Sequence, residues 1–186
     1  MKRLVILASG SGTLAQAIID ARLDADIVAV ISDKKDAEVL ARAERAHIET
    51  FTIPMLPNRA EWDRELETLI AALKPDLVVS AGFMRILSQR ITSRFKIINS
   101  HPALLPLFPG AHAVRDALAA GASETGTTIH WVDAGVDTGE VIAQQRVEIH
   151  AGDTEESLHE RIKIVERGLI VATIASLITT LEKNNG

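Results

Sequence analysis

The sequence predicts an α/β domain with a mainly parallel sheet and helices on both faces. Three observations lead there. Short runs of consecutive Val, Ile and Leu read as strands buried on both sides, as in a parallel sheet. Between them lie segments of helical composition or with apolar residues at helical spacing. The two kinds alternate along the chain, and right-handed crossovers then place helices on either face of the sheet.

Arg3 to Ser9 is the first buried strand and runs into Gly10-x-Gly12. Thr13 to Leu23 follows as a helix, Asp26 to Ser32 as a second strand, and the Ala- and charge-rich Asp36 to Ala46 as a second helix. Ile48 to Ile53 is a short strand stopped by Pro54 and Pro57. Arg59 to Leu73 carries Trp62, Leu66, Leu69, Ile70 and Leu73 at helical spacing. Leu77 to Ala81 and Ile97 to Asn99 are two further strands, and Val114 to Ala120 is a short helix closed by Gly121. Thr127 to Val132 and Val141 to Ile149 complete the strands. Asp153 is expected to cap a last helix, with Glu155 and Glu156 in its first turn. Leu158, Ile162, Val165, Leu169 and Ala172 form its expected apolar face.

The chain's 186 residues suit one domain. Hydrophobic and charged fractions of 47% and 24% are ordinary globular values, which argues against disorder. A net charge of −5 disfavours nucleic acid and anionic membranes as partners. With four Phe, two Trp and no Tyr there is little to stack bases on. The absence of cysteine excludes disulfides, thiolate catalysis and thiolate zinc sites, and suits a reducing compartment. Leu4 to Ala8 is too short for a signal peptide core, and Gly168 to Leu181 too short to span a bilayer. The expectation is a soluble, cytoplasmic protein.

Ligands of open α/β sheets bind beyond the carboxyl ends of the strands. Four loops fall there: Ser9–Thr13, Asp33–Asp36, Gly82–Leu87 and Ser100–His112. In the first, Gly10, Ser11, Gly12 and Thr13 let the backbone approach an anion at a helix N-terminus. Gly10-x-Gly12-x-x-Ala15 also fits a dinucleotide fingerprint, with Asp33 placed to bind a ribose. A plain tight turn is the third reading.

Asn99-Ser100-His101-Pro102 is the most informative stretch. If β alternation persists, Asn99 and His101 point to the same side. There an amide donor and an imidazole can hold a developing oxyanion, and the histidine can move a proton near neutral pH. The alternative is a loop histidine bonded to backbone. Asp137 offers a carboxylate in the turn Val132–Gly139, where plain turn chemistry competes. Spacing cannot show whether Asp137 meets His101. His47, His112, His130, His150 and His159 form no close ligand pattern, so no metal is expected.

Four blocks together resemble the folate-dependent formyltransferases, and specifically the phosphoribosylglycinamide formyltransferase family. They are Ser9 to Thr13, Ala81-Gly82-Phe83-Met84-Arg85-Ile86-Leu87, Asn99 to Pro106, and Val136-Asp137-Thr138-Gly139. The resemblance implies a Rossmann-like three-layer fold whose mainly parallel seven-stranded sheet has an antiparallel C-terminal portion. Residues 1–98 would be the nucleotide-phosphate half, and 99–186 the catalytic and folate half of one formyltransferase domain. It implies transfer of a formyl group from 10-formyltetrahydrofolate to the amine of glycinamide ribonucleotide, in purine biosynthesis. Asn99, His101 and Asp137 would be catalytic. Gly10 to Thr13 and Glu166 would hold the ribonucleotide. Arg59, Met84, Arg85, Ile86, Leu87 and Asn99 would bind folate.

Three positions depart from the family pattern: Leu14 replaces a common Asn, Val114 a frequent second His, and Ser100 the usual apolar residue. None removes a catalytic group. The partners implied are small molecules, with the protein a monomer or homodimer. Related formyltransferases carry an extra tRNA-binding or regulatory domain, for which this chain has no expected counterpart. An NAD-dependent oxidoreductase, suggested by Gly10, Gly12 and Asp33, and a non-catalytic sugar-phosphate sensor are the competing readings.

Overall fold

In the computed structural model, which describes residues 1–183, strands and helices alternate as expected. They are β1 (Lys2–Leu7), α1 (Thr13–Asp20), β2 (Ala25–Ser32), α2 (Glu38–Arg45), β3 (Thr50–Thr52), α3 (Arg59–Leu73) and β4 (Leu77–Ser80). Then follow α4 (Gln89–Thr92), β5 (Ile97–His101), α5 (Ala113–Ala119), β6 (Glu124–Trp131), β7 (Val141–Glu148) and α6 (Glu155–Lys183). The sheet order is β3-β2-β1-β4-β5-β6-β7. The first five strands are parallel, and β6 and β7 run antiparallel. Strand order reverses between β1 and β4, which opens a crevice between the loops that follow them. The expected boundary at 98/99 falls inside β5, which pairs with both β4 and β6. It therefore does not separate two folding units.

Alternate residues of β1 feed two cores. Leu4 and Ile6 pack with α1, α2 and α6; Val5 and Leu7 pack with Trp62, Leu66 and Ile70 of α3. Asn58 caps α3, its side chain accepting from the N–H of Ala60 and Glu61. The short helix α4 was not anticipated. Glu67 of α3 pairs with Arg90 and Arg94 and fastens it.

Two expectations about α6 are corrected. Thr154, not Asp153, is the cap: its Oγ1 accepts from Ser157 N (3.1 Å), while Ser157 Oγ accepts from Thr154 N (3.0 Å). Asp153 instead receives His150 N, Ser157 Oγ and the fork of Arg161. The buried stripe is Leu158, Ile162, Ile170, Ile174 and Ile178, with Ala172 exposed. Those positions are spaced by multiples of four, so the stripe drifts round the helix. Its first part packs on α5 and β7, and its second on α1 and β1.

Candidate active site

The Ser9–Thr13 loop is built by α2. Gly10 O accepts from Val39 N (3.2 Å) and Ser11 O from Arg42 Nε (2.7 Å). In a trans peptide the N–H points opposite to the C=O. The N–H groups of Ser11 and Gly12 are thereby turned away from α2, ahead of the α1 N-terminus, where they suit an anion. The two glycines do different work. A Cβ on Gly10 would meet nothing within 4 Å, whereas one on Gly12 (φ +73°) would lie 2.5 Å from Val39 Cβ. Gly12 thus serves packing of α1 on α2, and Gly10 faces open space. Thr13 opens α1, and Leu14 is buried in the core beside it.

Strand β5 continues to His101, so Asn99 and His101 share one face. Ser100 faces the other way, where its hydroxyl bonds Glu166 and approaches Thr127 Oγ1 (3.4 Å). Glu166 therefore stands behind the strand rather than beside His101. Burial pushes its carboxyl above the usual carboxylate range, against the opposing pull of the Ser100 hydroxyl.

Asp137 does meet His101: Oδ2 lies 3.3 Å from His101 Nδ1. The same oxygen accepts Gly110 N at 2.8 Å. His101 Nε2 faces Phe108 O at 2.8 Å, so the proline-rich loop cradles the ring. Burial alone would raise the Asp137 carboxyl. His130, the Gly110 N–H and His101 outweigh that and hold it below the usual carboxylate range. Asp133, by contrast, is spent on the turn, accepting from Gly135 N (2.9 Å) and Thr138 Oγ1 (2.7 Å).

The structure adds His130, which the sequence reading set aside. It is buried on β6, directly opposite Asn99 in the antiparallel register. Its Nε2 stands 3.3 Å from Asn99 Nδ2 and 3.5 Å from Asp137 Oδ1, while Nδ1 bonds Trp131 O at 2.8 Å. With Nδ1–H on Trp131 O, the neutral ring accepts the Asn99 amide at Nε2; only the protonated ring donates from Nε2, and then to Asp137. The one local signal was a polar residue at alternate spacing with Thr128 in a buried strand. Thr128 is also used: it donates to Ala103 O (2.6 Å) and accepts Leu105 N (3.1 Å), fixing the proline loop. Gly139 is required by contact, since a Cβ there would lie 1.6 Å from Trp131 O.

On the other side of the cleft, Met84 and Ile86 are exposed, while the Leu87 side chain is buried in the α3 core. Arg85 turns inward to Asp33, with Nε to Oδ2 at 2.6 Å. Arg59 pairs with Asp63 (2.9 Å), lies 4.8 Å over the Trp62 ring and donates to Ile86 O. The Asp33 side chain is fully buried and engaged, which removes it as a ribose ligand and with it the basis of the dinucleotide reading.

A family profile described as formyl transferase matches residues 2–174. The phosphoribosylglycinamide formyltransferase of Mycobacterium tuberculosis is 50% identical over 186 residues, covering 95% of this chain and 85% of that protein. The chain belongs to the formyl transferase family. The match extends to a longer protein, the trifunctional purine biosynthetic protein adenosine-3 of Drosophila melanogaster, 41% identical over 95% of this chain and 14% of that one. Among solved structures, the phosphoribosylglycinamide formyltransferase of Streptococcus pneumoniae superposes with a TM-score of 0.90 at 38% identity, covering 96% of this chain and 99% of the other. The formyl transferase fold is therefore the seven-stranded one seen here. Among the described residues no helix is long and apolar enough to cross a membrane, and no group of three His, Asp or Glu could hold a metal ion.

Proposed function

We propose that this chain transfers a formyl group from 10-formyltetrahydrofolate to the amine of glycinamide ribonucleotide, a step of purine synthesis, and works in the cytoplasm. The observation that carries the reading is the convergence of Asn99, His101 and Asp137, with His130 between Asn99 and Asp137, at the carboxyl end of β5. The relatives' names give the same acceptor and the same transferred group.

The co-substrate supplies a formyl carbon already bonded to a nitrogen that can leave. Attack by the substrate amine forms the new C–N bond and places negative charge on the formyl oxygen. The Asn99 amide has a second N–H beyond the one near His130 to stabilise that charge, and His101, on the same face, joins it once its Nε2–H turns from Phe108 O to the formyl oxygen. Losing one such donor costs about 3 kcal/mol of transition-state stabilisation. Asp137 holds the His101 ring and keeps a negative charge beside it. The pair thereby helps the amine's proton reach the leaving nitrogen as the old C–N bond breaks. Holding both substrates in one cleft supplies the proximity advantage.

Ser11 and Gly12 N–H groups, with Gly10 and Thr13, bind the ribonucleotide phosphate, and Glu166 binds elsewhere on that substrate. The Met84–Ile86 backbone, with its two exposed apolar side chains, takes the pterin, and Arg59 serves the folate. Residues 1–98 thus supply the phosphate loop and part of the folate cleft, and residues 99–183 the chemistry. A steady-state assay of the full chain decides it. Glycinamide ribonucleotide should accept formyl from 10-formyltetrahydrofolate; turnover to water or to initiator tRNA alone would reject the assignment.

A further inference from the structure

The segment Phe83 to Leu87 alternates in and out. Phe83 and Leu87 are buried at 8% and 4% exposure, while Met84 and Ile86 are exposed at 66% and 58%. Arg85 shares the inward parity, and there it meets Asp33 at the end of β2. Asp33 has a fully buried side chain, and its second oxygen, Oδ1, has no hydrogen-bond partner. A buried carboxylate satisfied on one oxygen is a poor device for stability, since apolar side chains of similar size would serve as well. Its value lies in fixing Arg85. Two more tethers act on the neighbouring residues: Met84 N donates to Ser9 Oγ (2.9 Å), and Arg59 donates to Ile86 O. Three consecutive residues of one loop are thus held from the loop after β1, the residue after β2 and the start of α3.

We propose that Asp33 is a positioning residue for the folate co-substrate. Its ion pair with Arg85 holds the 84–86 backbone and the outward Met84 and Ile86 side chains in the form that receives the pterin. This rests on the folate reading of that loop. The acidic residue at the end of β2, where a dinucleotide enzyme would grip a ribose, serves a different ligand at one remove. Without the carboxylate, the Arg85 guanidinium is left unpaired beside an apolar core. The side chain is already one-third exposed, so it swings out to water and takes the loop backbone with it.

The test uses the full chain with Asp33→Asn, Arg85→Ala and the double variant. It reads both KM values, kcat, and folate binding by quenching of tryptophan emission. Trp62 stacks on Phe83 of this loop with centroids 6.3 Å apart, so its emission reports loop position without turnover. Asp33→Asn should raise KM and Kd for the folate about tenfold, equivalent to about 1.4 kcal/mol. KM for the ribonucleotide and kcat should stay within about twofold, and the double variant should be no worse than the worse single one. Unchanged folate Kd, an equal rise in ribonucleotide KM, or full additivity overturns the proposal. Should Asp33→Asn fail to fold, Arg85→Lys carries the test: it keeps the charge, loses the Nε contact and should weaken folate alone. A wild-type chain that forms no formylated ribonucleotide overturns the folate reading itself. A wild type that forms it, with Asp33→Asn binding folate normally, overturns only this inference.

Discussion

His101 Nδ1 lies 3.3 Å from Asp137 Oδ2, the oxygen that also accepts the Gly110 N–H. One carboxylate therefore ties the end of β5, the proline-rich loop and the turn after β6 into a single unit. Asp137 adopts a left-handed φ of +54° to reach both partners. For a residue other than glycine that backbone is uncommon, though aspartate tolerates it better than most.

The Asp137 carboxyl lies below the usual range, so it is ionised throughout the neutral and mildly acidic range. A lowered pKa contributes stability above the unfolded value, and that stability is lost as pH falls through the folded one. Asp137→Asn should therefore flatten the decline of Tm below about pH 4. Thermal melts between pH 3 and pH 7 check this; an unchanged acid decline would contradict the lowered value.

The two loop glycines should respond differently to alanine. Gly12→Ala forces a Cβ against Val39 at a left-handed φ and should cost about 2–4 kcal/mol, lowering Tm by about 5–10 °C. Gly10→Ala has open space and should leave Tm within about 2 °C, while KM for the ribonucleotide rises. Melts and kinetics of both variants decide it, and equal destabilisation would contradict the assignment of the open space to a ligand.

Glu166 is the reverse case in sign. Burial raises its carboxyl, so the ionised form is disfavoured in the fold. Stability then falls as pH rises from the unfolded value of about 4.3 through the folded one. Glu166→Gln should raise Tm at pH 8 and leave it nearly unchanged at pH 4, while ribonucleotide KM increases. Melts at the two pH values would contradict this by showing equal shifts.

His130→Ala should reduce kcat about 10-fold or more with little change in either KM, because it frees the Asn99 amide and removes the imidazole beside Asp137. Steady-state kinetics with each substrate varied in turn checks it. A loss confined to KM would instead make His130 a binding residue.

Buried runs such as Leu4–Leu7 and Leu77–Val79 announced the parallel strands, because only a sheet covered on both faces uses consecutive apolar residues. The shared face of Asn99 and His101 followed from alternation once β5 continued to His101. The partners of that face were not legible. His130 comes opposite Asn99 through the β5–β6 register, and Asp137 reaches His101 through a turn of unusual φ. Neither is a property of local spacing. Nor were the side-chain directions of the 82–87 loop legible: its parity buries Leu87 and turns Arg85 to Asp33. At Thr154 a capping pair with Ser157 displaced the more acidic Asp153, which Arg161 had claimed.

The measurement that bears most directly on the account is a double-variant cycle on the central pair: kcat of formyl transfer to glycinamide ribonucleotide for wild type, His101→Ala, Asp137→Asn and the double variant, each checked for a native melt. If the two residues act as one unit, each single change should lower kcat about 10²- to 10⁴-fold, and the double variant should be little worse than the weaker single one. Losses that multiply, or an Asp137→Asn enzyme with wild-type kcat, would contradict it.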